Sequence, residues 1–358
     1  RRSREEAMSE HPTSIQRVTA SWLSQLLGRQ VREFTNQRIG EGHGFLGTLY
    51  SLHEEEGPMN VILKFGPQHD NPDIREFLDQ VRPHHRECAV YNAVAPLLPS
   101  HVLPNCLLAV CGRGHDGVIA MEDLSRTATV PSFLRGLGEG QARNTLTALS
   151  VVHAVTSKRA ELDPVLDQPV VASSELFLGA LDWFLKNCTP ELPTPKVDFL
   201  RELHTLVLTT RVEQEDRFKR VAGTLPVAHG DLWASNILLS RTTGTDVVAL
   251  VDWQFASRTA PMLDVAMLLA SSLDADLRRG CARELVRAYT EALVQHGGFV
   301  YSQEEAFADF SRGMCHALEI IIISAETWSS QDSEAKLLSA RWSALVDDVF
   351  EVFHPHPQ

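Results

Sequence analysis

Between Ile15 and Leu27, apolar residues recur at helical spacing (Ile15, Val18, Trp22, Leu23, Leu26), and Gly28 follows. That period predicts an amphipathic helix ended by the glycine. From Val31 to Phe65 the period shortens to two. Bends at "GHGFLG" and "EEEGP" divide this stretch into three antiparallel strands. "HHRECAVYNAV" (His84 to Val94) reads as a short helix closed by Pro96 and Pro99. The run from Cys106 to Leu124 reads as strand, Gly-rich turn and strand. Beyond Pro131 the pattern turns helical: Glu139 to Lys158, around Leu176 to Leu185, Asp198 to Phe218, then Leu263 to about Phe350. One β-rich interruption remains. "NILLS" and "DVVALVDW", separated by "RTTGT", predict a hairpin. The class is α+β. We expect a tail and helix over 1–30, a mostly β N-lobe over 31–124 and a mostly helical C-lobe over 125–358.

Composition changes this picture little. The chain has 358 residues, 44% apolar and 22% charged, enough for two lobes with cores. A net charge of −13 argues against a nucleic-acid partner held through phosphates. No apolar run reaches the roughly 18 residues of a membrane span; "LEIIIISA" reads as a buried helix segment. The polar opening "RRSREEAMSE" carries no secretory pattern. Six cysteines are scattered without CxxC spacing, which suits free thiols in a reducing, cytoplasmic setting rather than a zinc or disulfide framework.

The chemistry concentrates in "VAHGDLWASNILLS" (Val227 to Ser240). Asp231 precedes Asn236 by five residues, and Asp252 ends the hairpin that follows. Phosphoryl transfer from a nucleotide uses such a set. One carboxylate (Asp231) accepts the proton of an attacking hydroxyl. An amide (Asn236) and a second carboxylate (Asp252) hold Mg²⁺ on the phosphates. Upstream, Gly42, Gly44 and Gly47 fit G-x-G-x-x-G, and a strand rather than a helix follows. That context suits a loop covering ATP phosphates better than a dinucleotide fold, although a plain glycine hairpin reads equally well from the motif alone. Lys64, in the apolar strand "VILKF", needs a buried partner, either phosphate or a carboxylate such as Glu87.

These motifs resemble the ecdysteroid kinase-like, or CHK kinase-like, branch of the aminoglycoside phosphotransferase and choline kinase superfamily. "HGDLWASN" and "VDWQ" match the branch's catalytic loop and metal segment, "ECAVY" (Glu87 to Tyr91) its helix, and "MEDL" (Met121 to Leu124) its strand end. The resemblance implies a two-lobed protein kinase-like fold. It also implies adenine contacts from the backbone of Glu122, Asp123 and Leu124, and a catalytic loop braced by His229 and by Asp264 in "APMLDVAMLL". Gly230 stands where a protein kinase has Arg, and Trp253 and Gln254 replace its Phe-Gly. Asp264 follows Asp252 too closely for an activation segment.

A small-molecule kinase is therefore expected, using ATP and Mg²⁺ on an alcohol acceptor. The acceptor candidates are a steroid-like or xenobiotic alcohol, choline or ethanolamine, or an aminoglycoside. A nucleotide-binding pseudokinase is the non-enzymatic alternative. Asp264, Glu319, Glu326, Trp328 and Trp342 are the candidate acceptor wall, with Tyr301 and Phe310 further off.

Overall fold

The computed structural model describes residues 11–40, 46–55, 57–67, 72–112, 114–329 and 335–355. Five strands form one antiparallel sheet: β1 (Thr35–Ile39), β2 (Thr48–Glu54), β3 (Gly57–Phe65), β4 (Cys106–Cys111) and β5 (Gly117–Glu122), in the order β1-β2-β3-β5-β4. Alternation along β3 and β5 sorts their side chains. Val61, Leu63 and Phe65, with Val118 and Ala120, bury against Trp22, Leu23 and Leu26 of helix α1 (Ala20–Leu27). At eight residues α1 is too short to persist alone, so this packing holds it. Lys64 belongs to the opposite register of β3.

The helix expected from Ile15 is interrupted. A 3-10 turn (Ile15–Arg17) precedes α1, and between them Thr19 takes an extended conformation, its hydroxyl accepting from Trp22 N–H at 3.1 Å. Capping by Thr competes with helix continuation. Gly28 ends α1 with φ +66°. The first strand begins at Thr35, later than Val31, and is mostly exposed.

Among the described residues the N-lobe holds the helix expected there and one more. Helix α2 (Pro72–Val81) lay unread between the strands, although Ile74, Phe77, Leu78 and Val81 recur at helical spacing. The second, α3 (Pro83–Ala89), continues as a π turn over Val90–Val94, then a 3-10 turn (Ala95–Leu97). Arg86 of α3 is fully buried. Its guanidinium donates to the carbonyls of Val81, Gln168 (3.0 Å) and Ala256 (2.9 Å), tying α3 to the C-lobe.

Short strands frame the segment from Val227 to Asp252. β6 (Ala128–Thr129), β8 (Ile237–Ser240) and β9 (Val247–Leu250) form one sheet, and β7 (Val227–Ala228) pairs with β10 (Ser257–Arg258). The expected hairpin is β8–β9, with Ile237 opposite Leu250. The remaining helices are α4 (Glu139–Thr156), α5 (Ser174–Asn187), α6 (Thr194–Ala222), α7 (Met262–Ser272), α8 (Ala275–Gln295), α9 (Gln303–Ser329) and α10 (Ala335–Phe353). Helix α7 is buried almost all round, as its apolar sequence requires, and Asp264 is its one charged residue. Helix α9 packs on α5, α6, α7 and α10, burying Leu318, Ile321, Ile322 and Ala325. Among the described residues, no helix is long and apolar enough to cross a membrane.

Candidate active site

The Lys64 ammonium lies 2.6 Å from Glu87 Oε2 and 2.7 Å from Asp252 Oδ1. Strand β3, helix α3 and the segment after β9 thus converge on one cation. Burial alone would lower the Lys64 pKa, but Asp252 and Glu87 outweigh it and hold the value above the ordinary one. Glu87 is fully buried. Burial raises its carboxyl to about 7 even with Lys64 beside it. Asp252 is more open and takes φ +66°, a left-handed backbone that turns the chain out of β9.

Asp264, in the first turn of α7, organises the loop before β8. Its carboxylate accepts from the backbone N–H of His229 (2.6 Å) and of Gly230 (2.9 Å), and lies 3.3 Å from His153 Nε2. The second ring nitrogen of His153 bonds the Tyr289 hydroxyl at 2.7 Å. Burial would raise the Asp264 pKa, yet His153, the nearby His229 and the Gly230 amide bring it below the ordinary range. His229 is buried, which keeps it neutral. Its Nε2–H donates to Val251 O (2.9 Å), leaving Nδ1 to accept from Asp231 N–H (3.3 Å). Gly230 has φ +81°, and a Cβ there would fall 2.3 Å from Phe255 O, so only glycine fits.

Asp231 and Asn236 are joined directly. Asn236 Nδ2 donates to Asp231 O (2.8 Å) and Oδ2 (3.2 Å), which leaves the amide oxygen of Asn236 as its remaining acceptor. Burial, then the charge of Asp252, raises the Asp231 carboxyl to about 8. Two repelling carboxylates beside an amide oxygen form an all-oxygen donor set, the chemistry a hard divalent cation takes.

Glu122, Asp123 and Leu124 line the same cleft as Lys64, Asp231, Asn236 and Asp252. Backbone bonds fix them: Glu122 N–H to Asn105 O (2.9 Å) and Asp123 N–H to Asn60 O (3.0 Å). Gly47 also lines the cleft, whereas Gly42 and Gly44 lie outside the described residues. Gln254 is buried, and its Nε2 donates to Leu46 O at 2.6 Å, fastening the loop before β2 to the Asp252 segment. Sequence reading gave Gln254 no role and overlooked His153, since neither contact has a local signature.

The cleft measures about 2010 Å³. That is twice or more the roughly 300–1,000 Å³ of a single drug-sized site. Of the expected acceptor wall, Asp264 and Glu319 line it. Trp342 does not: it is buried against Phe184 in the helical core. Phe310 and Tyr301 are also core residues, the Tyr301 hydroxyl bonding Asp309. Glu326 is exposed and off the cleft wall, and the Trp328 side chain lies outside the described residues. The wall instead carries Phe133 and Trp233, stacked edge to face at 5.7 Å, with Leu176, Leu208, Ile320 and Ile323. Glu319 is engaged by His204 Nδ1 at 2.6 Å, and burial pushes its pKa up.

A small antiparallel sheet above a larger helical lobe, with this ion-pair set between them, defines the protein kinase-like fold. The chain belongs to the ecdysteroid kinase-like family, whose sequence profile matches residues 48–298. A kinase-like protein of Caenorhabditis elegans is 25% identical over 195 residues, covering 52% of this chain and 50% of the relative. The match thus spans about half the length of that relative. Among solved structures, choline kinase of Cryptosporidium parvum superposes with a TM-score of 0.55 at 14% identity, over 90% of each chain. Ethanolamine kinase of Plasmodium vivax gives 0.50 at 11% identity, over 99% of this chain and 95% of that one. At these identities the likeness speaks for the fold alone.

Proposed function

We propose that the protein transfers the γ-phosphoryl group of ATP to a hydroxyl of an apolar small molecule, a steroid-like or xenobiotic alcohol. The observation that carries this reading is the meeting of Lys64, Glu87 and Asp252 in the cleft that Asp231 and Asn236 also line. Lys64, held by Glu87, grips the phosphates. The backbone from Glu122 to Leu124 receives the adenine, and Gly47, which lines the cleft, lets the backbone approach the phosphates. Asn236 and Asp252 would hold Mg²⁺, which when bound neutralises charge on the phosphates. Asp231 orients the acceptor hydroxyl and takes its proton at a carboxylate oxygen. His229 and Asp264 keep the backbone of that loop in place.

The acceptor reading rests on the wall. A quaternary ammonium needs an aromatic cage backed by free carboxylates. The two buried carboxylates of the wall are already engaged, Asp264 by backbone amides and Glu319 by His204. The apolar residues around them suit a lipophilic alcohol better. The test is transfer of label from γ-labelled ATP, with Mg²⁺, to a panel of sterols, hydroxylated aromatics, choline, ethanolamine and aminoglycosides. The expected result is labelled lipophilic product. Efficient labelling of choline or an aminoglycoside would replace this acceptor class, and nucleotide binding without turnover on any alcohol would favour a pseudokinase.

A further inference from the structure

Helix α3 carries His84 and Cys88 one turn apart, on one helix face. Cys111, the last residue of β4, reaches the same point from the sheet. One ring nitrogen of His84 and the two sulfurs lie within 4.8 Å of one another, and among the described residues this is the one such cluster of three or more His, Cys, Asp or Glu. The sequence reads as scattered thiols because the ligands come from two elements more than twenty residues apart.

His84 carries the argument beyond proximity. It is 1% exposed, and its ring nitrogens make no well-aligned hydrogen bond, the Val110 backbone carbonyl lying beside the ring. A buried imidazole left in that state forfeits hydrogen bonds it would make in water. The ring packs against bare backbone: a Cβ on Gly117 would fall 2.6 Å from His84 Nε2. Cys88 is buried beside it, and Cys111 is half-buried.

We propose that His84, Cys88 and Cys111 bind one divalent cation of the zinc class, pinning α3 to β4. Two sulfurs and one imidazole nitrogen are a borderline-soft donor set, which suits Zn²⁺ and disfavours Mg²⁺. The site is therefore chemically distinct from the oxygen donors Asn236 and Asp252. Binding releases one proton from each thiol. The cation's two positive charges then meet two thiolate charges, so the filled site is neutral overall. Three protein ligands leave the fourth tetrahedral position to water. Glu87 sits on α3 between His84 and Cys88 in sequence, so a cation there would steady the helix that carries the Lys64 partner.

Cobalt(II) tests this without any activity assay. The full chain is stripped with chelator, kept reduced, and titrated with Co²⁺. The expected result is one equivalent bound, with sulfur-to-cobalt charge-transfer absorption and tetrahedral d–d bands, all displaced by Zn²⁺. Cys88→Ser and Cys111→Ser should each lose the charge-transfer band, while Cys281→Ser, in α8, should keep it. Should either serine variant fail to fold by circular dichroism, alkylation of the wild type decides instead. Zn²⁺ should then protect Cys88 and Cys111 selectively. Absence of a thiolate band at saturating Co²⁺, a band that survives in a folded Cys88→Ser or Cys111→Ser variant, or alkylation unchanged by Zn²⁺ would each overturn the proposal.

Discussion

Lys64 and Asp252 are 188 positions apart in the chain and meet at 2.7 Å. The contact joins the sheet of the N-lobe to the segment leaving β9, and Glu87 completes it from α3. Lys64 serves both carboxylates.

Removing that ammonium should therefore cost stability. Lys64→Met leaves Glu87 buried without its counter-charge, a loss of about 3–5 kcal/mol when one partner of a buried pair is removed. Burial already raises Glu87 to about 7, so its raised pKa favours the protonated form in the folded chain. The cost should thus be smallest in acid and grow as pH rises through about 7. Denaturant unfolding of Lys64→Met and of Lys64→Met/Glu87→Gln from pH 5 to 9 checks this. The double variant should recover most of the loss, and equal stability of the single and double variants above pH 8 would contradict it.

Gly230→Ala should be poorly tolerated. The new Cβ would collide with Phe255 O at a φ of +81°, displacing the amide that Asp264 holds. Strain of that kind is of order 1–3 kcal/mol. Thermal melts should show the loss, and turnover should fall with it. Gly140→Ala, within α4 where a Cβ meets nothing within 4 Å, is the control and should melt no lower than the wild type.

Gln254→Ala removes the bond to Leu46 O. One buried hydrogen bond nets about 0.5–1.5 kcal/mol, so the KM for ATP should rise about 2- to 13-fold with kcat nearly kept. A kcat collapse at unchanged KM would place Gln254 in the chemical step instead.

Much of this architecture was legible in the sequence, and the reasons differ by element. The β8–β9 hairpin has a turn signature and alternating flanks, and Lys64 stands out as a lysine inside an apolar strand. Helix α2 was equally readable from Ile74, Phe77, Leu78 and Val81, but lay in a stretch dominated by Pro and Asp. Other features had no local sign. His153 sits mid-helix with ordinary neighbours, and only the packing of α4 on α7 and α8 brings it to Asp264 and Tyr289. Trp342 illustrates the converse. An aromatic on a late helix suits a pocket wall or a core equally, and contact with Phe184 decides for the core. The apolar wall of the cleft draws on α5, α6 and α9 together, so no single stretch announces it.

Asp231 gives a pH-dependent stability test. Burial and Asp252 raise its pKa to about 8, above the ordinary 3.8, so the folded chain prefers the protonated acid. Stability from this group is full below the ordinary value and lost as pH rises through about 8. Asp231→Asn, which cannot ionise, should melt higher than the wild type without ligands, with the gap widening from pH 5 to 8.5. A constant gap would show that the charge is already compensated.

The most direct measurement compares Asp231→Asn with the wild type in single turnover with γ-labelled ATP, Mg²⁺ and the best alcohol from the panel. Nucleotide affinity should stay within a few-fold, because Lys64, Asn236 and Asp252 are untouched. Phosphoryl transfer should fall by about 10²–10⁴, the share a positioned general base supplies. Transfer at the wild-type rate in Asp231→Asn would contradict the role given to Asp231 and the phosphotransferase reading built around it.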